Sequence, residues 1–241
     1  MNLVADIGNS LTKIGIFDND ELITVIKEES FDEKLLASLE KQYPITKIII
    51  SSVAVSKINP GSKGPSAGKI FTLGPDTRLP FTIKYSTPST LGPDRLAGIA
   101  GAYNKLAGKN VLVIDLGTAV TFDLLEGDTY LGGNISPGLR TRFRALHHFT
   151  GKLPEVEASQ LYPEIGTDTI SAIRSGVQSG LIFEINEYIR SLNKKYKDLE
   201  VIITGGDASF FDSFIDGRHV HHPNLIIEGL NYILNYNVKT I

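Results

Sequence analysis

The chain has 241 residues, 41% of them hydrophobic, with a net charge of −3 and no cysteine. This composition suffices for one large domain or two medium ones, and it excludes a disulfide framework and thiol chemistry. No basic block stands out and no apolar run reaches the roughly 18–20 residues of a membrane span, so neither nucleic acid nor a membrane is an expected partner. The lack of cysteine fits a reducing compartment, and we expect a soluble, cytoplasmic protein.

The predicted elements alternate between strands and helices. Runs rich in Val and Ile predict strands, and apolar residues at helical spacing predict helices. In chain order these are strands Asn2–Ala5 and Lys13–Phe17, helix Asp32–Gln42, strand Lys47–Ser52, a helix from Pro93 to about Leu106, strands Asn110–Ile114 and Ala119–Leu125, a long helix from about Thr167 through Ile189, strand Glu200–Thr204 and helix Asn224–Asn235. This alternation predicts the α/β class.

One short motif occurs twice, as Val4-Ala5-Asp6-Ile7-Gly8 and as Ile114-Asp115-Leu116-Gly117-Thr118. In each copy an apolar strand delivers an Asp, and a glycine-containing turn leads into a second strand. The acid can hold a cation, and the glycine lets the backbone approach a phosphate closely. Two such hairpins facing each other across a cleft would form a nucleotide-phosphate site, a pattern that resembles the actin, hexokinase and acetate-kinase superfamily. We therefore expect two similar halves, 1–109 and 110–241, with a ribonuclease H-like fold around a central cleft.

The first hairpin, from Asp6 to Lys13, is the first candidate site. ATP chemistry needs a carboxylate for Mg²⁺, donors for phosphate oxygens and a cation near the transferring phosphate, and this turn offers all three. The alternative is an ordinary hairpin whose polar residues serve turn geometry. The second copy of the motif favours the functional interpretation.

The second candidate is Gly92-Pro93-Asp94-Arg95 at a helix start. Pro93 suits the first helical position and Asp94 falls in the first turn. Asp94 could serve only the helix, an effect of at most about 1 kcal/mol. Alternatively, its carboxylate points at a substrate, beside an arginine that can bind a substrate carboxylate through two hydrogen bonds. The residues alone leave both interpretations open.

Weaker signals are distributed over the rest of the chain. The glycine-rich stretch Gly132–Gly138 predicts a turn that either lines a nucleotide pocket or is simply a tight loop, and Thr204–Asp207 would allow a nucleoside to approach the backbone. His219 and His221 would share a strand face, where a solvated edge is favoured over a metal pair. Residues 59–69 fail the spacing of a Walker loop and predict a surface loop.

Two further features concern helices. His147 and His148 follow an amphipathic stretch and are predicted at a helix end. Gly176 and Gly180, four residues apart in the long helix, would make a smooth face that favours close helix packing, including across a dimer.

Motifs in order along nearly the whole chain resemble those of the bacterial type III pantothenate kinases. They are Asp6–Ser10, Ser51–Val53, Gly92–Arg95, Asp115–Thr118, Gly133–Leu139, Lys152–Pro154, Gly166–Thr169 and Thr204–Asp207. Two positions depart from the family pattern: Ala54 stands where the family often has Pro, and Asp168 where it often has Asn. The second departure concerns the shape of the pantothenate pocket.

The resemblance implies a homodimeric enzyme that transfers the γ-phosphate of ATP to pantothenate, giving 4′-phosphopantothenate, the first step of coenzyme A biosynthesis. It implies Mg²⁺ with ATP and a required monovalent cation, K⁺ or NH₄⁺. By this resemblance Asp94 is the catalytic base and Asp115 binds the monovalent cation. From the chemistry of the first hairpin, we expect Asp6 to hold Mg²⁺ with ATP. The ATP-binding residues would be Asp6, Ile7, Gly8, Asn9, Ser10, Leu11, Thr12, Lys13 and Thr118. The pantothenate-binding residues would be Tyr85, Gly92, Pro93, Asp94, Arg95 and Thr169, the last near the dimer interface.

Three other functions compete with the kinase. A regulatory nucleotide-binding member would keep the hairpins and lose the acid that activates the acceptor, but Asp94 and Arg95 are both present. A phosphatase acting on polyphosphate would need a basic patch, and none is visible. A filament-forming protein is disfavoured because the chain is short for an actin-like polymer.

Overall fold

The computed structural model describes residues 1–8, 11–52 and 70–238. The chain falls into two units: unit 1 comprises Met1–Gly108, Asp128–Gly132 and Asn224–Ile241, and unit 2 comprises Lys109–Gly127 and Gly133–Pro223. The strands are β1 Asn2–Ile7, β2 Thr12–Asp18, β3 Glu21–Glu28, β4 Lys47–Ser52, β5 Ile70–Thr72, β6 Thr82–Ile83, β7 Val111–Leu116, β8 Ala119–Glu126, β9 Thr129–Pro137, β10 Glu200–Thr204 and β11 Val220–His221. The helices are α1 Glu33–Gln42, α2 Pro93–Leu106, α3 Leu139–Phe149, α4 Thr169–Lys195, α5 Ala208–Phe211 and α6 Leu225–Val238.

Unit 1 is built on a sheet with the strand order β3-β2-β1-β4-β5. The central strand β1 pairs antiparallel with β2 and parallel with β4. Its apolar residues are buried together with those of β2, α1 and β4. Asp32 caps α1 by accepting a hydrogen bond from the Leu35 amide at 2.9 Å, as residues of this type do at helix starts.

The C-terminal helix α6 belongs to unit 1, whereas the predicted boundaries assigned it to the second half. The physical reason is its packing against α2 and against the sheet of unit 1. Gly229 lies so close to α2 that a Cβ there would fall far inside contact distance of the Ala97 carbonyl oxygen. Asn231 accepts a hydrogen bond from Asn2 at 2.8 Å, which adds a buried polar contact between α6 and β1. The chain passes from unit 1 to unit 2 after Gly108.

We expect Gly229→Ala to destabilise unit 1. The added methyl would meet the α2 backbone, which cannot rotate away as a side chain can, and overpacking of this kind costs about 3 kcal/mol. Urea denaturation followed by circular dichroism measures the loss. Gly151→Ala, just after α3, where a Cβ meets nothing within 4 Å, should leave stability unchanged or raise it by up to about 1 kcal/mol. Equal urea midpoints of unfolding for Gly229→Ala and for the parent protein would contradict the packing argument.

Unit 2 is built on the strand order β11-β10-β7-β8-β9, with the first residues of β9 belonging to unit 1. The long helix α4 packs its apolar face, including Val177, Leu181 and Ile185, into the core beside β7 and β10. A capping box starts this helix: Asp168 accepts from the Ser171 amide, and the Ser171 hydroxyl reaches back to the amide of the cap residue.

The two central strands have matching neighbours. As β1 pairs antiparallel with β2 and parallel with β4, so β7 pairs antiparallel with β8 and parallel with β10. The duplicated motif therefore forms two hairpins in equivalent sheet positions, and the α/β class is confirmed. Within the described ranges, no helix has both the length and the apolar character needed to cross a membrane.

The glycine-rich stretch differs from its prediction. Gly132–Pro137 continues strand β9 instead of forming a tight turn, and only Gly138 ends the strand, as the residue before α3. Tyr130 is fully buried on this strand, and β9 pairs with β6. Sheet pairing and a buried aromatic residue thus override the turn preference of the glycines.

Candidate active site

The hairpin of unit 1 places Asp6 near the end of β1. Asp6 lies opposite Lys13 of β2 and, on the other side, opposite Ser51 of β4. The fully buried Ser51 hydroxyl donates to Asp6 Oδ1 at 3.1 Å. The Gly8 amide donates to the Leu11 carbonyl at 3.1 Å and closes the turn. The sheet therefore holds one carboxylate oxygen of Asp6 in a defined position.

Electrostatics make Asp6 unusual. Burial, and after it the nearby Asp94 carboxylate, raises its pKa from 3.8 to about 6, against the opposing effects of the Ser51 hydrogen bond and the Lys13 charge. Burial and the nearby negative charge of Asp94 disfavour the ionised form of Asp6. A bound cation would stabilise that ionised form.

The raised pKa of Asp6 predicts a pH-dependent stability. Between about pH 4 and pH 6 the unfolded chain loses this proton while the folded protein retains it, so the free energy of unfolding falls as pH rises through that window. Asp6→Asn cannot titrate, so we expect its unfolding free energy to rise relative to the parent over the same window. Denaturant titrations at pH 4.5 and 7.5 without metal or nucleotide measure this difference. A difference that stays constant between the two pH values would contradict the assignment.

The start of α2 carries Asp94 and Arg95, and the Asp94 carboxylate lies near enough to Asp6 to raise its pKa. Asp94 Oδ1 accepts from the Arg95 amide at 2.9 Å, and a Cβ on Gly92 would lie 2.5 Å from that oxygen. Arg95 is only 7% exposed, and its Cζ lies 5.8 Å from the ring centroid of the half-buried Tyr85. The structure thus brings Tyr85, Gly92, Asp94 and Arg95 together.

In unit 2 the equivalent hairpin carries Asp115 near the end of β7. The Gly117 amide donates to the Ala119 carbonyl at 3.0 Å, which closes the turn. The exposed Thr118 accepts through its carbonyl from the Thr141 hydroxyl at 2.7 Å. Gly205 has a φ of +97°, and a Cβ there would collide with Asp115 Oδ1 and the Leu116 carbonyl oxygen.

The turn after β10 also holds Asp207. Its amide donates to the Leu116 carbonyl at 2.9 Å. Burial raises the pKa of Asp207, and the charge of Arg140 opposes that shift. The turn 204–207 is therefore bound to the hairpin that carries Asp115.

The donor chemistry fits the expected cations. Mg²⁺ is usually held by one or two carboxylates together with substrate phosphates, and the half-buried Asp6 suits that role. Asp115 and the Leu116 carbonyl offer neighbouring oxygen donors, the ligand type that hard cations prefer. Among residues 1–8, 11–52 and 70–238, no group of three or more His, Asp or Glu side chains could hold a metal by itself.

The remaining predicted site residues lie as follows. Ile7 ends β1, Leu11 precedes Thr12 at the start of β2, Pro93 is the first residue of α2 and Thr169 is the first residue of α4. Asn9 and Ser10 lie outside the described residues, as do Val53, Ala54 and the loop 59–69. His147 and His148 lie in the last turn of α3, at the helix end as predicted. The strand β11, which carries His221, is an edge strand. His219 Nε2 lies 3.2 Å from Asp212 Oδ1.

Sequence reasoning assigned no role to Ser51 and did not connect Gly205 with Asp115. Both could have been found from one signal. If the motif strands are central and parallel to their neighbours, the polar or small residues that end those neighbours lie beside the two aspartates.

Comparison with known proteins gives the family. The sequence profile described as Type III pantothenate kinase matches residues 2–191. The chain belongs to the type III pantothenate kinase family. A type III pantothenate kinase of Phocaeicola vulgatus is 44% identical over 241 residues, covering 99% of this chain and 100% of the relative.

Solved structures support the fold. A Campylobacter jejuni crystal structure, described as a Baf family transcriptional activator, gives a TM-score of 0.59 at 20% identity, covering 98% of this chain and 99% of the other. Glucokinase from an Antarctic psychrotroph gives a TM-score of 0.52 at 12% identity, with 98% of both chains covered. The likeness at such low identity concerns the fold alone, and it confirms the predicted actin/hexokinase-like class for this member of the type III pantothenate kinase family.

Proposed function

We propose that this protein phosphorylates pantothenate with ATP, giving 4′-phosphopantothenate in the first step of coenzyme A biosynthesis. The family assignment gives the reaction. The observation that carries the proposal is the proximity of two carboxylates, Asp6 and Asp94, in unit 1, with Arg95 adjacent in sequence. A phosphotransferase needs one acid on the metal–nucleotide side and one beside the acceptor.

Asp94 is the proposed base. Its carboxylate accepts the hydrogen bond of the pantothenate hydroxyl, whose oxygen attacks the γ-phosphorus. The new oxygen–phosphorus bond forms as the bond to the β-phosphate oxygen breaks, ADP leaves, and the hydroxyl proton passes to Asp94. Arg95 binds the pantothenate carboxylate through its planar guanidinium, with Tyr85, Gly92, Pro93 and Thr169 as the other proposed pantothenate contacts.

The residues of the first hairpin, Asp6 to Lys13, are proposed to bind the ATP phosphates, and Thr118 to contact ATP. Divalent metal accompanies ATP in kinases, and we propose Mg²⁺ held by Asp6, which would neutralise phosphate charge when bound. We propose K⁺ or NH₄⁺ at Asp115. The Lys13 ammonium, opposite Asp6 in the hairpin, would lie near the transferred phosphoryl group.

A homodimer is also proposed. Its support is the exposed apolar surface of α4, where Phe183 is 68% and Ile170 49% exposed. A Cβ on Gly176 or Gly180 would meet nothing within 4 Å, so this helix leaves room for another backbone. Light scattering should give twice the chain mass of 26.3 kDa. The cytoplasmic location and the absence of a nucleic-acid partner stay predictions.

The deciding experiment is ADP release on adding pantothenate to folded protein with ATP, Mg²⁺ and K⁺. We expect release only when pantothenate is present, with formation of a phosphorylated product by mass spectrometry. Folded protein that releases no ADP under these conditions would overturn the proposed function.

A further inference from the structure

Three side chains form a stack in unit 1. The ring of Tyr130, fully buried, lies 6.4 Å from the ring of Tyr85 with only 12° between the planes. The guanidinium carbon of Arg95 lies over the Tyr85 ring at 5.8 Å from its centroid. These distances fall within the ranges of aromatic stacking and cation–π attraction.

The backbone fixes the Tyr85 end of this stack. Strand β6 pairs with β9 so that Ile83 lies opposite Tyr130, and the Lys84 amide donates to the Tyr130 carbonyl at 2.8 Å. At Gly132, where φ is +115°, a Cβ would lie 3.2 Å from Tyr85 Cδ2. The Tyr85 ring thus lies near both Tyr130 and Gly132, which are two positions apart on β9, and the missing side chain of the glycine leaves room for the ring.

We propose that Tyr130 is a positioning residue for pantothenate binding, because it holds the Tyr85 ring and, through that ring, the guanidinium of Arg95. The proposal rests on the function proposed above, in which Tyr85 and Arg95 contact pantothenate. Tyr130 has no role in sequence reasoning, and its burial keeps it away from solvent.

Positioning matters here because of the chemistry of the guanidinium. Its five N–H donors lie in one plane, so a small change of tilt moves both hydrogen bonds to a carboxylate at once. If Tyr130 holds the Tyr85 ring in place, the guanidinium packed on that ring has less freedom to tilt. Leucine at position 130 would fill part of the volume without offering a flat face, whereas phenylalanine would keep the face and remove only the hydroxyl.

The test measures the KM for pantothenate and the KM for Mg-ATP separately. Loss of a stacked pair is expected to raise the pantothenate KM of Tyr130→Leu by about 3- to 10-fold, with the Mg-ATP KM within twofold of the parent. Tyr130→Phe should keep the pantothenate KM of the parent protein. An unchanged pantothenate KM in Tyr130→Leu, or an equal rise in both KM values, would overturn the proposal.

A matched control comes from unit 2, where Phe122 stacks on Tyr188 at 4.0 Å between centroids and 25° between planes. Phe122→Leu removes a comparable buried stack, and we expect it to leave the pantothenate KM unchanged. If it raises that KM as much as Tyr130→Leu does, the effect is general loosening and the proposal fails.

A second readout is independent of the reaction. The Nε–H proton resonance of Arg95, assigned by its loss in Arg95→Lys, senses the ring current of Tyr85 in ligand-free protein. It should shift in Tyr130→Leu and return in Tyr130→Phe; an unshifted resonance overturns the positioning role. Absence of pantothenate phosphorylation by the parent protein would instead overturn the proposed function, so the two failures are distinguishable.

Discussion

Asp94→Asn is expected to lower kcat by roughly 10²–10⁴-fold, the usual contribution of a positioned base. The asparagine keeps the shape and one acceptor oxygen, so the hydrogen bond from the Arg95 amide can remain. It cannot accept the hydroxyl proton. Because phosphoryl transfer passes through a loose transition state, that proton leaves late, and the loss should appear in the chemical step rather than in nucleotide binding. Single-turnover phosphate transfer measures the step, and an ATP titration measures nucleotide binding.

Two comparisons make the Asp94 result specific. Asp6→Asn should weaken the use of Mg-ATP, because that residue is assigned to the metal–nucleotide side. Asp76→Asn, the same change at an exposed position of unit 1, should leave kcat unchanged. If Asp94→Asn turns over within a few-fold of the parent, Asp94 only stabilises the start of α2, and the base must be sought elsewhere.

Much of the fold could be predicted from local patterns. Val- and Ile-rich runs located β1, β4, β7 and β10 to within two residues at each end, because buried central strands need apolar side chains along most of their length. Helix α2 was predicted from Pro93 and its apolar spacing, and it begins at that residue. The residues within each of these elements are therefore enough to predict it.

The missed elements depend on partners. Strands β3 and β9 have mixed polar and apolar residues, and β6 has only two residues. Their pairing is decided by the sheets that they join, which no short window contains. The unit of α6 was missed for the same reason: its apolar surface could pack on any sheet, and Gly229 selects α2 only when the two backbones are seen together.

The candidate site divides in the same way. Asp6, Asp94, Arg95 and Asp115 were predicted because charged residues at strand and helix ends are visible in sequence. Ser51 was quoted only as part of a family motif, yet in the structure it donates to Asp6, and Thr204 takes the corresponding register position beside Asp115. The duplication therefore includes the parallel strand beside each aspartate. The residue after Thr204 is Gly205, which lies against Asp115.

Gly205→Ala is expected to lower kcat about 100-fold and to weaken activation by K⁺. The new methyl would collide with Asp115 Oδ1 and with the Leu116 carbonyl oxygen, so the carboxylate must move. A displacement of about 1 Å at a reacting site can cost that factor. The measurement is kcat at saturating Mg-ATP and pantothenate, with K⁺ titrated against tetramethylammonium. The parent protein should lose activity when K⁺ is replaced, because the cation proposed at Asp115 is then missing.

Two other glycines separate the Gly205 collision from simple backbone strain. Gly151→Ala changes a glycine outside the turn 204–207, where a Cβ meets nothing within 4 Å, and it should retain activity. Gly217→Ala imposes a side chain at a φ of +81°, also in open space, so it carries the strain of a left-handed residue without the collision. We expect it to lose some stability and keep its response to K⁺. A Gly205→Ala protein that matches Gly217→Ala in both activity and K⁺ response would remove Asp115 from the cation site, since moving its carboxylate would then have had no effect on catalysis.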